Sequence, residues 1–399
     1  MTLDLPHTKS SWSPLGGRLL SVLSALGICA AVVASILSPS KARAAAAQDW
    51  TPFVLVAGLL LVGLLADDDG LFEAAGKRLA RVFRNDIHLF AAAAVVIAIV
   101  TAVLNLDTST AFLTPVFIHL ARARKSSEAP LLYACLFLSN AASLLLPGSN
   151  LTNLIVLGHL HLSGASFAAR MAPAFVVAVV VTAVVLGTAH RRELRRTTDP
   201  AGSDARLLVE DTVQPRRIGS LGIVAVLAAT VAVLLLRTPA PWVAAIGVAG
   251  CTIRLLQRRD TWRHLVKVLG PGVLAGLFGV AVALGTLGRA WSGPARLLSH
   301  LGTWATSALA AVTSIVTNNL PAASLFSAHV PPHPYSLLVG LDLGPNLFVT
   351  GSLSALLWLN CARKAGATVS FGKVALLGAF AVPLSMAAAL GALALSGSP

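Results

Sequence analysis

Residues 342–352 read Asp342-Leu343-Gly344-Pro345-Asn346-Leu347-Phe348-Val349-Thr350-Gly351-Ser352, in the middle of an apolar run over 336–361. That run is long enough to cross a bilayer as a helix. The Gly-Pro pair inside it frees backbone N–H and C=O groups, and hydrocarbon offers them no partner. Such a break is tolerated where it is buried in protein or lines a watery cavity. The acid points the same way, because a carboxylate at bilayer depth costs about 2.5–3.5 kcal/mol on insertion scales. A single kink would be weak evidence, since helices also bend for packing.

Three other clusters repeat the pattern. Pro147-Gly148-Ser149-Asn150-Leu151-Thr152-Asn153 interrupts the apolar run 131–161. Asn105-Leu106-Asp107-Thr108-Ser109-Thr110 and Thr317-Asn318-Asn319-Leu320-Pro321 occupy the centres of two more runs, 89–119 and 301–330. Those two are read as re-entrant hairpins, entering and leaving on one face. Of the 16 acidic residues, Asp107 and Asp342 fall inside apolar runs, and no Lys or Arg does. The remaining crossings are 20–38, 50–66, 171–189, 218–236, 242–253, 268–288 and 374–396. The fold class is therefore an all-α polytopic membrane protein.

The composition excludes a soluble domain: 56% of the 399 residues are hydrophobic and 12% charged, where a soluble domain carries about a quarter charged. The net charge of +14 is dispersed through short loops, unlike the clustered patch that meets nucleic acid. With the N-terminus cytoplasmic and both hairpins non-crossing, 24 of the 30 Lys and Arg fall on the inner side, as the positive-inside rule expects. The location implied is the cell (inner) membrane, multi-pass. Cys29, Cys135, Cys251 and Cys361 are far apart and form no CxxC pattern, so neither a disulfide framework nor a metal site is expected.

The order of elements then repeats. Residues 50–190 form a first transport repeat, after an N-terminal tail and first span over 1–49. A cytoplasmic linker at 191–217 and a connecting span at 218–240 follow, and 241–399 repeat the order with every direction reversed. The small residues at 42–47 would suit a signal-peptide cleavage site, but the repeat count keeps the first span. Inverted-topology repeats, each with a re-entrant hairpin and a broken helix, are an architecture of secondary transporters, whose site lies where the breaks meet at the midplane.

That meeting place supplies the candidate residues. Thr108, Ser109, Ser149, Asn150, Thr152, Asn153, Thr317, Asn318, Asn319, Asn346, Thr350 and Ser352 are suited to bind a solute, and the asparagines equally to cap broken helices. Asp107 and Asp342 are candidates for proton or cation coupling, or for buried acids that hold a hairpin shut. Asp67-Asp68-Asp69-Gly70 is expected to cap an amphipathic helix lying on the inner face, with Leu71, Phe72, Ala75, Leu79, Val82 and Phe83 along one side. His159 and His161, like His329 and His333, read as interfacial or loop histidines. No nucleophile–base pair is visible, no cofactor is implied, and no phosphate-binding Gly-Lys loop occurs, so any ATP dependence requires a separate ATPase subunit.

These clusters resemble the bacterial arsenite-efflux permeases, within an ion transporter superfamily that also holds sodium/proton antiporters and di- and tricarboxylate carriers. The resemblance covers about residues 50–396. It is carried by Asp342-Leu343-Gly344-Pro345, Ser352-Leu353-Ser354-Ala355-Leu356-Leu357-Trp358-Leu359, Thr317-Asn318-Asn319-Leu320-Pro321, Ser149-Asn150-Leu151-Thr152-Asn153-Leu154-Ile155-Val156, Asp107 with Leu113-Thr114-Pro115, and the Asp-x-x-Gly-Leu-Phe at 67–72. It implies efflux of arsenite or antimonite driven by the proton gradient or membrane potential, an elevator motion, and assembly as a homodimer. Carriage of a citrate-like carboxylate, or sodium/proton antiport, is the alternative on the same fold. Three departures fall at the site: Asn346 replaces a usual Lys, Phe348-Val349-Thr350-Gly351 replaces Thr-Pro-Ile-Gly, and Thr108 replaces a Gly.

Overall fold

The computed structural model describes residues 14–158, 160, 162–195, 219–257 and 262–397, and these are all-helical. The first half comprises α1 (Pro14–Leu37), α2 (Pro39–Asp68), α3 (Leu71–Val82), α4 (Asp86–Val103), α5 (Leu106–Ala123), α6 (Ala129–Ala142), α7 (Leu151–Leu157), α8 (Gly164–Ala189) and α9 (Arg191–Arg195). The second comprises α10 (Ser220–Leu235), α11 (Ala240–Leu256), α12 (Trp262–Leu269), α13 (Pro271–Ala290), α14 (Gly293–Ser299), α15 (Thr303–Thr317), α16 (Asn319–Phe326), α17 (Pro334–Leu343), α18 (Leu353–Lys364) and α19 (Phe371–Leu395). Among the described residues α2, α4, α8, the joined run α12–α13 and α19 are each long and apolar enough to cross a membrane.

Both hairpins and both broken helices are present. The first hairpin, α4–α5, has its feet tied together: Arg124 donates to the Phe83 carbonyl at 2.7 Å and pairs with Asp86 at 3.1 Å. Its ends therefore lie on one face, as a re-entrant element requires. The second hairpin is α15–α16. A 3₁₀ turn, Pro147–Ser149, separates α6 from α7; two more, Gly344–Leu347 and Val349–Gly351, separate α17 from α18.

The packing order is duplicated as well. Helix α1 packs on α13 and α11 on α2; α4 packs on α6 and α15 on α17; α5 packs on α18 and α16 on α7. Helices α8 and α19, one from each half, pack on each other. Helix α2 comes so close to the first hairpin that a Cβ on Gly63 would lie 2.4 Å from the Thr108 methyl carbon. Gly378 likewise leaves room for the Asn346 carbonyl, 2.4 Å from where its Cβ would be.

Ion pairs divide the molecule into the two faces read from the sequence. Arg122–Glu128, Arg124–Asp86, Arg254–Asp69 and Lys373–Glu193 each join segments assigned to the inner side. The contact of Arg289 with Gln48 and that of Arg170 with Tyr335 join segments of the other side.

Three details differ from the sequence reading. The Asp67-Asp68-Asp69 run closes α2, Gly70 rather than an acid stands at the cap of α3, and Asp69 is taken by Arg254 and by the Gly222 N–H at 2.6 Å. The apolar face of α3 lies on protein, with Phe72 buried and stacked on Phe112 of α5 at 5.4 Å. Third, α2, α11 and α13 run past the apolar segments that announce them. Buried Asp49 and Arg254 and half-buried Arg289 therefore stand inside helices. His159, His161 and most of the 191–217 linker lie outside the described residues.

Candidate functional site

Each of the four polar clusters ends as a helix N-terminus, and in each a side-chain oxygen accepts from the first turn. Asn105 Oδ1 accepts from the Thr108 N–H at 2.6 Å and Asn150 Oδ1 from Thr152 at 3.2 Å. Asn318 Oδ1 accepts from Leu320 at 3.3 Å and Ser352 Oγ from Ala355 at 3.2 Å. This is ordinary N-capping chemistry, with the extended backbone at the cap that stops a helix from running on. Asn318 reaches it with φ of +80°, strained for a residue with a Cβ.

The four first turns converge. Leu106 and Asp107 of α5, Asn150 to Thr152 at α7, Asn318 to Leu320 at α16 and Ser352 to Ser354 at α18 line one cavity of about 170 Å³. Opposite them stands an apolar wall from α2 (Val56, Leu60) and from α12–α13 (Leu269, Val273, Leu274, Leu277). Among the described residues no Lys or Arg lines the cavity. Partial positive charge comes instead from the helix ends, about half a unit for a well-formed helix. Helix α7, at 7 residues, contributes least.

The two acids are treated differently. Asp107 lines the cavity half-buried, and among the described residues no group donates to its carboxylate. Asp342 is 0% exposed and sits one layer behind, where it accepts from Asn150 Nδ2 at 2.8 Å, Thr152 Oγ at 2.9 Å and Ser143 Oγ at 3.1 Å. All three donors belong to the first break, so this carboxyl ties the two halves together. A second tie runs the other way: Asn140 donates to Asn346 Oδ1 at 2.8 Å, and Asn346 donates to the Phe137 carbonyl at 3.1 Å.

Of the residues singled out from the sequence, Asp107, Asn150, Thr152, Asn318, Asn319 and Ser352 line the cavity. The others lie elsewhere. Thr108 is packed under Gly63, and Ser109 is buried. Ser149 closes its 3₁₀ turn on the Leu146 carbonyl at 2.6 Å, and Asn153 donates to the Ser143 carbonyl at 2.7 Å. Exposed Thr317 bonds back to Thr313, and exposed Thr350 offers its carbonyl to Asn318. Asn346, like Asp342, serves the ties behind the wall. Sequence reading overlooked Ser354, which lines the cavity 2.8 Å from Ser352, and the tie residues Asn140 and Ser143. Their signal is a Ser139-Asn140…Ser143 spacing in an apolar stretch, which alone is indistinguishable from helix packing.

Comparison with known proteins follows the same line. The citrate transporter family, CitMHS, matches residues 12–343. An arsenical pump membrane protein from Escherichia coli is 26% identical over 390 residues, 90% of each chain. Another from Yersinia enterocolitica is 26% identical over 397 residues, again 90% of each. A 46 kDa membrane protein from Mycobacterium leprae is 24% identical over 368 residues, 86% of this chain and 85% of that one. Among solved structures, the YdaH transporter of Alcanivorax borkumensis aligns over 96% of this chain and 98% of its own, at 13% identity and a TM-score of 0.45.

Proposed function

The chain belongs to the citrate transporter (CitMHS) family, and on that footing we propose that it is a secondary transporter expelling arsenite or antimonite. The cavity's polar wall carries this reading: amides, hydroxyls and one carboxylate and, among the described residues, no cationic side chain. A neutral trihydroxide needs partners for its O–H groups and no counter-charge. An unpaired carboxylate accepts such groups well and repels an anion. Arsenical pump membrane proteins matching over 90% of both chains support the same substrate.

In this reading Asp107 is the coupling group. It is the acid that reaches the cavity, so a proton or cation and the solute compete for one place. The rest of the polar wall binds the solute. The duplicated packing order supports two inverted repeats, the first over 50–190 with α1 added to it and the second over 241–399; the excess of Lys and Arg in the segments assigned inside supports a cytoplasmic N-terminus in the cell membrane. The polar tips then slide along the apolar wall of α2 and α13, which offers no hydrogen bonds to break.

A citrate-like carboxylate is the second reading, favoured by the convergence of helix N-termini, which suits an anion. Everted vesicles from cells lacking an arsenite pump separate the two. Accumulation of arsenite that collapses with the proton gradient supports efflux. Arsenite uptake at background, alongside carboxylate uptake, overturns it.

A further inference from the structure

We propose that Asp342 is a positioning residue for solute selection: from behind the cavity it fixes the hydrogen-bonding sense of the first break, so that this wall takes a solute that donates hydrogen bonds. The inference rests on the reading of a hydroxylated solute and gives it a mechanism. Its basis is the proton count of a buried network. Thr152 owns one hydroxyl proton, and Asp342 Oδ1 takes it at 2.9 Å. Only lone pairs remain on that oxygen, and Thr152 lines the cavity. Asn150 is constrained likewise: its Oδ1 is spent on the Thr152 N–H, and one of its two amide protons goes to Asp342 at 2.8 Å. A hydroxylated solute brings the proton that Thr152 lacks. A carboxylate, which only accepts, meets the Thr152 lone pairs and is left the one unspent amide proton of Asn150.

The other break shows what happens without the acid. Asn150-Leu151-Thr152 and Ser352-Leu353-Ser354 are counterparts, cap for cap, in the register that aligns the two broken helices. That register sets Asn140 opposite Asp342. Asn140 is drawn aside to Asn346, and the hydroxyls of Ser352 and Ser354 bond to each other at 2.8 Å with either free to donate. That side can turn a donor or an acceptor to the cavity. Discrimination therefore falls on the side that Asp342 holds. No Lys, Arg or His bonds to its carboxyl among the described residues, so the fixed network of donors sets its orientation.

The test uses the full chain in everted vesicles, measuring arsenite KM and Vmax, with citrate as competitor. Asp342→Asn can keep its oxygen on Asn150 and Thr152 and turn its amide to Ser143, so it is the conservative control, whereas in Asp342→Ala Thr152 loses its acceptor and its proton turns to the cavity. The KM for arsenite is expected to rise about tenfold, as for one mismatched hydrogen bond, and citrate begins to inhibit. Thr152→Val removes the lone pairs and raises KM similarly, without citrate inhibition. The double variant is no worse than either single one, because both act through one oxygen. Loss of Vmax at unchanged KM in Asp342→Ala would mean that the acid only braces the breaks, and would overturn the inference alone. If that variant does not fold, an unchanged KM in Thr152→Val overturns it. Wild-type vesicles that take up citrate and not arsenite overturn both this inference and the function it rests on.

Discussion

At the tip of the first hairpin, Asp107 stands in the opening turn of α5 at the cavity, with no donor to its carboxylate among the described residues. In the second broken helix Asp342 is sealed from solvent and accepts from three side chains of the opposite half. Both are aspartates in apolar runs beside a polar cluster, but one is left incomplete and the other is completed. An unsatisfied buried group costs about 1–3 kcal/mol. That cost is tolerable at Asp107 because the cavity admits water or solute, and no such outlet exists at Asp342. The difference separates two uses of polarity inside a membrane. A group that must exchange partners during transport is kept free of protein donors, whereas a group that must hold others in place is saturated by them.

The largest expected effect breaks the comparison on stability. Asp342→Ala takes the shared acceptor from the Asn150 amide and the Thr152 hydroxyl, while Ser143 keeps the Asn140 carbonyl at 2.8 Å. At about 1–3 kcal/mol for each of two lost acceptors, with partial rescue from the cavity, the loss is about 2–4 kcal/mol. Asp107→Ala strands nothing and should cost under about 0.5 kcal/mol. Thermal unfolding of the two variants in one detergent measures the gap, and equal losses would remove the distinction. Next is transport: Asp107→Asn keeps the shape and removes the charge, and gradient-driven uptake should fall about ten- to a hundredfold, the worth of a charged hydrogen-bond partner. Unchanged gradient dependence at normal protein levels would take coupling away from Asp107. A smaller effect tests the second tie. Asn140→Ala leaves Asn346 Oδ1 unpaired and should lower stability by about 1–2 kcal/mol, with no change in citrate sensitivity.

How far the sequence could be read follows from the range of each interaction. The breaks were legible because Gly344-Pro345 and Pro147-Gly148 act on their own backbone, and a helix interruption in an apolar run needs no distant information. The caps were legible for the same reason: Asn105, Asn150, Asn318 and Ser352 bond within three residues of themselves. The ties were not, because Asp342 and its donors are 190 to 199 residues apart, and nothing local tells which of two acids will find partners. Gln48 was invisible for another reason. It precedes the apolar stretch that marks α2, yet its amide donates to the Ile155 and Ser327 carbonyls at 3.1 and 3.2 Å while it accepts from Arg289. Polar residues just outside a hydrophobic run read as loop until neighbouring helix ends are known to meet there. The Asp67-Asp68-Asp69 run misled because an acid before an amphipathic stretch looks like a cap, and only Arg254, distant in sequence, claims it for the end of α2.

The smallest effect sharpens the comparison most, because it sets two matched caps side by side. Asn150 and Ser352 each begin the second half of a broken helix, and each accepts one backbone N–H at 3.2 Å. If capping were their whole role, Asn150→Ala and Ser352→Ala should both cost about 1 kcal/mol. Asn150 also donates to Asp342, however, and its removal leaves a buried carboxyl oxygen with one donor fewer. The expected costs are therefore about 2 kcal/mol for Asn150→Ala and about 1 kcal/mol for Ser352→Ala. In an Asp342→Ala background the extra cost at Asn150 should vanish, while that at Ser352 stays the same, since Ser352 bonds to Ser354 and not to the acid. Six melting curves, of the two backgrounds and of each cap variant in both, complete this cycle. Equal costs for the two caps in both backgrounds would show that the two breaks are equivalent, and that Asp342 adds nothing to the one it faces.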